Sequence, residues 1–248
     1  MRQLIPFLIL SILLGSCGPS SVTQPTQASI TELKVDFEEA RERMVSGGVV
    51  GWGVEDEAVI EAMGVVPRHE FVPPDYLNQA YENIPLPIGY GQTISQPYIV
   101  ALMTQELYVS QGDRVLEIGM GSGYQAAVLA QLGIEVYTIE IIAPLFEEAT
   151  KRLDRLGYTQ ITTRHADGYY GWEEESPFDA IIVTAAPDHV PQPLLAQLKV
   201  GGVMVIPVGP VGGFQELWRI TRTGDDTYQS TSLGGVRFVP FTRQGEEP

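Results

Sequence analysis

Apolar positions along this chain change their period as it proceeds. From Asp36 to Val45 and from Glu55 to Met63 they recur at helical spacing. Beyond Pro97, the residues Ile99, Val100, Leu102, Met103 and Leu107 fall on one broad face and predict a further helix. Between Val66 and Gly91, Pro67, Pro73, Pro74, Pro85 and Pro87 interrupt any regular period, so that stretch reads as loop-rich. From Arg114 onward short apolar runs alternate with helical segments. Strands are predicted at Val115 to Ile118, Glu135 to Ile139, Ile161 to Arg164, Ala180 to Val183 and Val203 to Val208. Helices are predicted at Tyr124 to Gln131, Pro144 to Leu156 and Pro193 to Leu198. The run Ala180-Ile181-Ile182-Val183 has no polar position and reads as a strand buried on both faces. Such alternation implies an α/β architecture, a mostly parallel sheet with crossover helices on both faces. The tail differs: Glu216 to Thr221, Tyr228 to Ser232 and Val236 to Phe241 pattern as strands with no helix between them, which predicts an antiparallel C-terminal edge.

The first residues follow another logic. Arg2 is the only charge before Glu32, and Gln3 to Leu14 is nearly all apolar, too short for a membrane-spanning helix of about 20 residues but suited to a signal-peptide core. It ends in Leu14-Gly15-Ser16-Cys17, which resembles the lipobox of bacterial lipoproteins, where cleavage precedes a cysteine that takes up lipid. The expected organisation is a leader over residues 1–16, a lipidated Cys17 with a polar tether over 17–35, and one folded domain over 36–248. An N-terminal extension or a misassigned start with a chance cysteine is the alternative.

The chemistry starts at Val115-Leu116-Glu117-Ile118-Gly119-Met120-Gly121-Ser122-Gly123-Tyr124, a buried strand running through three alternating glycines into a helix. Glycines permit positive φ and let a ligand approach the backbone, and the helix start adds N–H groups and partial positive charge. A dinucleotide loop has the form G-x-G-x-x-G, but Tyr124 holds the place of its third glycine. The G-x-G-x-G form with Glu117 two residues ahead resembles class I methyltransferases, and with the strand–helix alternation it gives a Rossmann-like fold. That resemblance implies S-adenosylmethionine as cofactor, with Glu117, Gly119, Gly121 and Gly123 around its methionine and ribose portions. Glu140 ends the next strand about 20 residues on, where a carboxylate can accept from both ribose hydroxyls. Asp167, in His165-Ala166-Asp167-Gly168, can accept from the adenine amine, although Asp-Gly is also an ordinary turn pair.

A longer segment, Leu86-Pro87-Ile88-Gly89-Tyr90-Gly91-Gln92-Thr93-Ile94-Ser95-Gln96-Pro97, closely resembles the signature of protein-L-isoaspartate O-methyltransferases. Val66 to Pro73, Val115 to Leu129, Phe178 to Ala186, Leu198 to Gly209 and Val236-Arg237-Phe238-Val239-Pro240 match as well, so the resemblance spans roughly Asp36 to Thr242. It implies a repair enzyme that methylates isoaspartyl and D-aspartyl residues of damaged proteins, with the family's active-site serine falling on Ser95. By itself Ser95 also suits an N-cap ahead of Pro97. Other readings stay open: a class I methyltransferase for another small carboxylate or hydroxyl compound, an NAD-dependent dehydrogenase, or an inactive binding protein.

Charge and composition narrow the partners. Net charge is −16, which repels phosphate backbones and disfavours nucleic acid. With one cysteine there is no intramolecular disulfide, and His69, His165 and His189 have no metal-ligand spacing. His69 reads as structural, Tyr169-Tyr170-Gly171-Trp172 as packing over a loop, and Glu173-Glu174-Glu175 as a solvated charge run. A monomer is expected, touching a membrane only through the anchor at Cys17. The leader predicts an exported lipoprotein on the periplasmic side, whereas the family resemblance alone implies the cytoplasm.

Overall fold

The structure, a computed structural model, describes residues 36–210 and 212–245. The leader, Cys17 and the tether lie outside the described residues.

Two acidic caps start the first helices. Asp36 accepts from the backbone N–H groups of Glu38 and Glu39 at the start of α1 (Phe37–Arg43), and Asp56 accepts from Val59 N at the start of α2 (Glu57–Val65). The chain continues helically beyond α1, as a π-type segment over Met44–Val49 and a short 3-10 turn over Val50–Trp52. In the proline-rich stretch two 3-10 turns, Arg68–Phe71 and Pro74–Gln79, precede a feature the pattern did not announce. This is an antiparallel hairpin of β1 (Leu86–Gly89) and β2 (Gln92–Ile94). Its turn puts Gly89, Tyr90 and Gly91 all at positive φ, with Tyr90 at 53°. A non-glycine residue held there is uncommon enough to mark a constrained corner. The hairpin leads directly into α3 (Pro97–Gln105), where Pro97 occupies the first turn and needs no N–H partner.

The main sheet follows. Its members are β3 (Arg114–Ile118), β4 (Glu135–Glu140), β5 (Thr162–His165), β6 (Phe178–Val183), β7 (Leu198–Val208), β8 (Gln215–Gly224) and β9 (Thr227–Val236), in the spatial order β5-β4-β3-β6-β7-β8-β9. The first five are parallel and the last two antiparallel. The helices between them are α4 (Tyr124–Gln131), α5 (Ala143–Arg155) and α6 (Gln192–Ala196). Strand alternation sorts the core into two layers. Val115, Val136, Ala180 and Ile182 face α2 to α5, while Leu116, Ile118, Ile139 and Val183 face α6 and the turn-rich crossover from β5 to β6. Both faces are covered, the second more thinly than the first. Trp172 belongs to that second layer, edge-on to Tyr137. The glutamates at 173–175 are not simply solvated, since Glu174 pairs with Arg164 and Glu175 with Arg114.

The third tail strand expected at Val236 to Phe241 does not form. β9 ends at Val236, and the segment beyond it makes one isolated parallel bridge, Pro240 to Ala186. Ala186 N donates to Val239 O, and Phe241 N donates back to Ala186 O. The segment thus leaves the sheet edge and is tied across the ends of the parallel strands.

Candidate active site

In an open α/β sheet a ligand crevice opens where successive connections leave to opposite sides of one strand. Here that strand is β3, flanked by β4 on one side and β6 on the other. Its C-terminal end runs into Gly119, whose φ is 94°. A Cβ at Gly119 would lie 2.5 Å from the Thr184 hydroxyl, and one at Gly121 3.3 Å from the end of Ile88. The turn is therefore closed on one side by β6 and on the other by the β1–β2 hairpin. Gly119 N and Met120 N both donate to Ile139 O, at 2.9 and 3.0 Å, and Gly121 N donates to Glu140 Oε2 at 2.8 Å. These three N–H groups are already occupied, so the turn does not present them to a phosphate. That argues against the dinucleotide reading on geometry as well as on the Tyr124 position.

The turn divides a cleft into two chambers. One is lined by Gln92, Ile118, Glu140, Ile142 and the C-terminal segment Val239 to Thr242. The other holds Ser95, Glu117, Tyr124 and Gln125, and both share Thr93, Gly119, Gly121 and Thr184.

Each predicted site residue has a definite place. Ser95 lies half-buried between β2 and α3; the N-cap position is Gln96, which makes no side-chain cap bond, so Ser95 is not consumed as the cap. Glu117 is fully buried. Thr138 donates its hydroxyl to Glu117 Oε2 in a short bond, and Glu117 Oε1 has no partner. Burial, with a smaller contribution from nearby Glu140, pushes the Glu117 carboxyl up to about 8 against the counteracting Thr138 bond. Glu140 is 5% exposed, with Oε1 accepting from Ile142 N at 2.9 Å. Burial raises its pKa, and the backbone donors at Ile142, Gly121 and Ile141 oppose the rise.

Asp167 stands apart from these. It caps the turn Gly168–Tyr170, accepting from Tyr169 N at 3.0 Å, and receives the Arg243 guanidinium at 3.0 Å and Gln244 N at 3.3 Å. Burial alone would raise its pKa, but those donors together hold it below the ordinary carboxylate range. It lines a neighbouring cavity with Arg243 and Tyr170 rather than either chamber around the glycine turn. Arg243 also stacks on Tyr169, 3.7 Å from the ring centre. His69 is a packing residue, stacked on Phe37 and hydrogen-bonded to Tyr81.

Thr184 and Arg243 went unnoticed in the sequence. Thr184 donates to Gly119 O at 2.6 Å, stapling β6 to the turn, and its signal was available as the first polar residue after the Ala180–Val183 run. Arg243 carried no local signal.

The pattern of the protein-L-isoaspartate(D-aspartate) O-methyltransferase family, PCMT, matches residues 48–246. The chain belongs to this family. Among relatives, a protein-L-isoaspartate O-methyltransferase 2 from a Polaromonas species is 58% identical over 189 residues, covering 76% of this chain and 90% of its own. A protein-L-isoaspartate O-methyltransferase 1 from Cupriavidus necator is 51% identical over 242 residues, covering 97% and 92%. A solved protein-L-isoaspartate O-methyltransferase superimposes with a TM-score of 0.74 at 32% identity, over 81% of this chain and 65% of that one. A further solved structure, a putative protein-L-isoaspartate O-methyltransferase from Plasmodium falciparum in complex with S-adenosyl-L-homocysteine, superimposes with a TM-score of 0.72 at 24% identity, over 84% and 99%. The fold is therefore the Rossmann-like class I methyltransferase fold. The PCMT match takes in every site residue named above, from Ser95 and the glycine turn to Asp167 and Arg243.

Proposed function

We propose that this protein transfers a methyl group from S-adenosylmethionine to the free carboxylate of L-isoaspartyl, and also D-aspartyl, residues in damaged proteins. The observation that carries the reading is the chamber in which an uncommitted serine, Ser95, faces a glycine turn and a buried carboxylate in a PCMT chain.

The residues fit the cofactor. Glu117 Oε1, buried and unpartnered, suits the ammonium of the methionine portion. Glu140 keeps one further lone pair on each oxygen beyond its two backbone bonds, which suits a ribose diol. The turn at Gly119 and Gly121 leaves no side chain between these two acids. Asp167, through the lone pair left on Oδ1, is the acceptor proposed for the adenine amine. When bound, the cofactor supplies an electrophilic methyl group on a sulfonium.

The remaining work is the protein's own. A substrate carboxylate is ionised at neutral pH, so no base is needed to make it a nucleophile. Ser95 donates a hydrogen bond to the carboxylate oxygen that does not react and fixes the other in line with the methyl group, at about 3 Å. The partial positive charge at the start of α3 adds to that hold. The β1–β2 hairpin and the Val239–Thr242 segment, which both line the cleft, exclude water from the anion. The backbone nitrogen then attacks the ester carbonyl without help, the C–OCH3 bond breaks, methanol leaves with the amide proton, and hydrolysis of the resulting succinimide returns some normal aspartate.

Labelled methyl transfer to a peptide with one isoaspartate, beside its aspartate isomer, tests the reading. Label in the isoaspartyl peptide alone is expected; equal labelling of both, or of neither, overturns it.

We further propose that residues 1–16 are a leader, that Cys17 is lipidated, and that 17–35 tether the 36–248 domain to a membrane on its periplasmic side. The Leu14-Gly15-Ser16-Cys17 sequence supports this. Mass analysis of the mature amino terminus tests it, and an intact Met1 on soluble protein rejects it.

A further inference from the structure

Glu117 stands at the proposed cofactor site with almost no polar company. It is 0% exposed, one oxygen is held by Thr138, and the other meets nothing. An ionised carboxylate taken out of water needs a cation or several donors, and one hydroxyl does not replace its hydration. The groups around it supply neither. From β4 come Thr138 and Glu140, the latter another acid. The residue paired with it on β6 is Ile182, and Thr184 is spent on the carbonyls of Ile118 and Gly119. From α4, Gln125 gives its amide to Thr104 on α3, and the Tyr124 phenol donates to Met63 with its pKa raised by burial. The arginines of this layer do not bond Glu117: Arg68 gives Nε to Ala80 O and lies over the Tyr124 ring, with its two terminal nitrogens unpartnered, and Arg152 donates to Ser122 O. Ser95 and Thr93 on the hairpin side are neutral.

We propose that Glu117 carries a proton in the empty enzyme and expels it when the ammonium group of S-adenosylmethionine reaches Oε1. This rests on the cofactor reading given above. The O–H bond of the acid breaks, its electron pair stays on the carboxylate, the proton passes to solvent, and an ammonium–carboxylate pair replaces it. The buried acid is thereby tolerated in the empty protein and becomes a counter-ion only when its cation is present.

The raised pKa of Glu117, about 8, sets where the effect is visible. Below it, binding must displace a proton, so affinity falls about tenfold for each pH unit lost. Above it the dependence flattens. Working between pH 6 and 7.5 keeps the ligand's own ammonium charged.

The test is calorimetric titration of the full chain with S-adenosylhomocysteine at pH 6.5, in two buffers of different ionisation enthalpy. Wild type is expected to release close to one proton, Glu140→Gln the same despite weaker binding, and Glu117→Gln none. Buffer-independent enthalpies, or a release that persists in Glu117→Gln, overturn the proposal. Should Glu117→Gln not bind, infrared spectra of wild type decide: a protonated carboxyl band present in empty protein must vanish on adding S-adenosylhomocysteine. Its absence from empty protein rejects the idea. Binding without proton release defeats this proposal alone, whereas no binding by wild type defeats the cofactor reading too.

Discussion

Replacing Gly119 by alanine tests the site at its tightest point. The new Cβ would stand 2.5 Å from the Thr184 hydroxyl, at a φ of 94° that a side chain rarely adopts. Backbone strain of this kind costs about 1–3 kcal/mol. To clear the methyl group, Thr184 must rotate away and give up its bond to Gly119 O, now 2.6 Å long, at about 1 kcal/mol more. Gly119→Ala should therefore lower unfolding stability by about 2–4 kcal/mol, the sum of those two costs. Thr184→Ala alone should cost about 1 kcal/mol. In the double variant the hydrogen bond is lost only once, and the Thr184 Cβ stands 3.8 Å away, which is ordinary contact. The two changes should thus fall short of additivity by about 1 kcal/mol. Denaturant unfolding of the four proteins measures this directly. Strict additivity, or a Gly119→Ala cost under about 1 kcal/mol, would refute the idea that Thr184 and Gly119 form one closed joint.

Ser95→Ala should lower turnover on isoaspartyl peptide by about 100-fold through misalignment, while S-adenosylhomocysteine affinity stays within about twofold, a change under 0.5 kcal/mol; unchanged turnover removes Ser95 from the mechanism. Glu140→Gln should weaken S-adenosylhomocysteine binding about 10- to 100-fold, the worth of one charge-assisted hydrogen bond, and calorimetry showing wild-type affinity rejects the ribose assignment. Arg243→Ala should cost about 1 kcal/mol at pH 7, discounted because Arg243 is partly exposed. The folded Asp167 pKa is depressed, so that contribution is present above the ordinary carboxylate range and lost as pH falls through the folded value. Wild type and variant should converge in thermal unfolding once the pH has fallen through the depressed folded value of Asp167, below the ordinary carboxylate range, and a gap that widens on acidification contradicts the pair.

Local patterns carried most of the architecture. The bounds of α4 in the structure are those read from the sequence, because Gly123 ends the turn and a helical apolar period starts at once. The central parallel strands β3 and β6 were legible as short apolar runs closed by glycine or polar residues, whereas β5, Thr162–His165, has no apolar residue and was signalled only by Ile161 before it. The β1–β2 hairpin escaped because its strands are four and three residues long and one contains Pro87. Val236 to Phe241 misled because alternation alone does not say which partner a segment finds: β9 ends at Val236, and beyond it Pro240 bridges Ala186 instead of continuing along the sheet edge. At the site, the family resemblance pointed to Ser95 and Glu117, and the spacing past the glycine turn to Glu140, but neither pointed to what occupies each of them. The bond between Arg243 and Asp167 joins residues 76 positions apart, beyond the reach of any local motif.

The placement of acids follows from the charge balance of the reaction. A sulfonium and a carboxylate react to give a thioether and an ester, so two opposite charges disappear as the new bond forms. Low dielectric strengthens the attraction between such reactants before they meet, and a dry cleft favours a transition state in which charge is being lost. A third carboxylate beside the methyl group would compete for the same cation. In this structure Glu117 shares the Ser95 chamber but has one oxygen held by Thr138 and the other assigned to the cofactor's ammonium, while Glu140 lines the other chamber, held by Gly121 N–H and Ile142 N–H. The residue that the proposed mechanism sets at the reacting position is Ser95, a neutral donor lining that chamber. A donor can hold an anion without quenching it, whereas an acid there would repel the substrate. Ser95→Asp should accordingly reduce turnover well below Ser95→Ala at pH 7, and the difference should shrink as the pH falls toward the range where the introduced acid is protonated. Initial rates for the two variants between pH 5 and 8 measure it, and parallel profiles would show that position 95 does not sit against the substrate's charge.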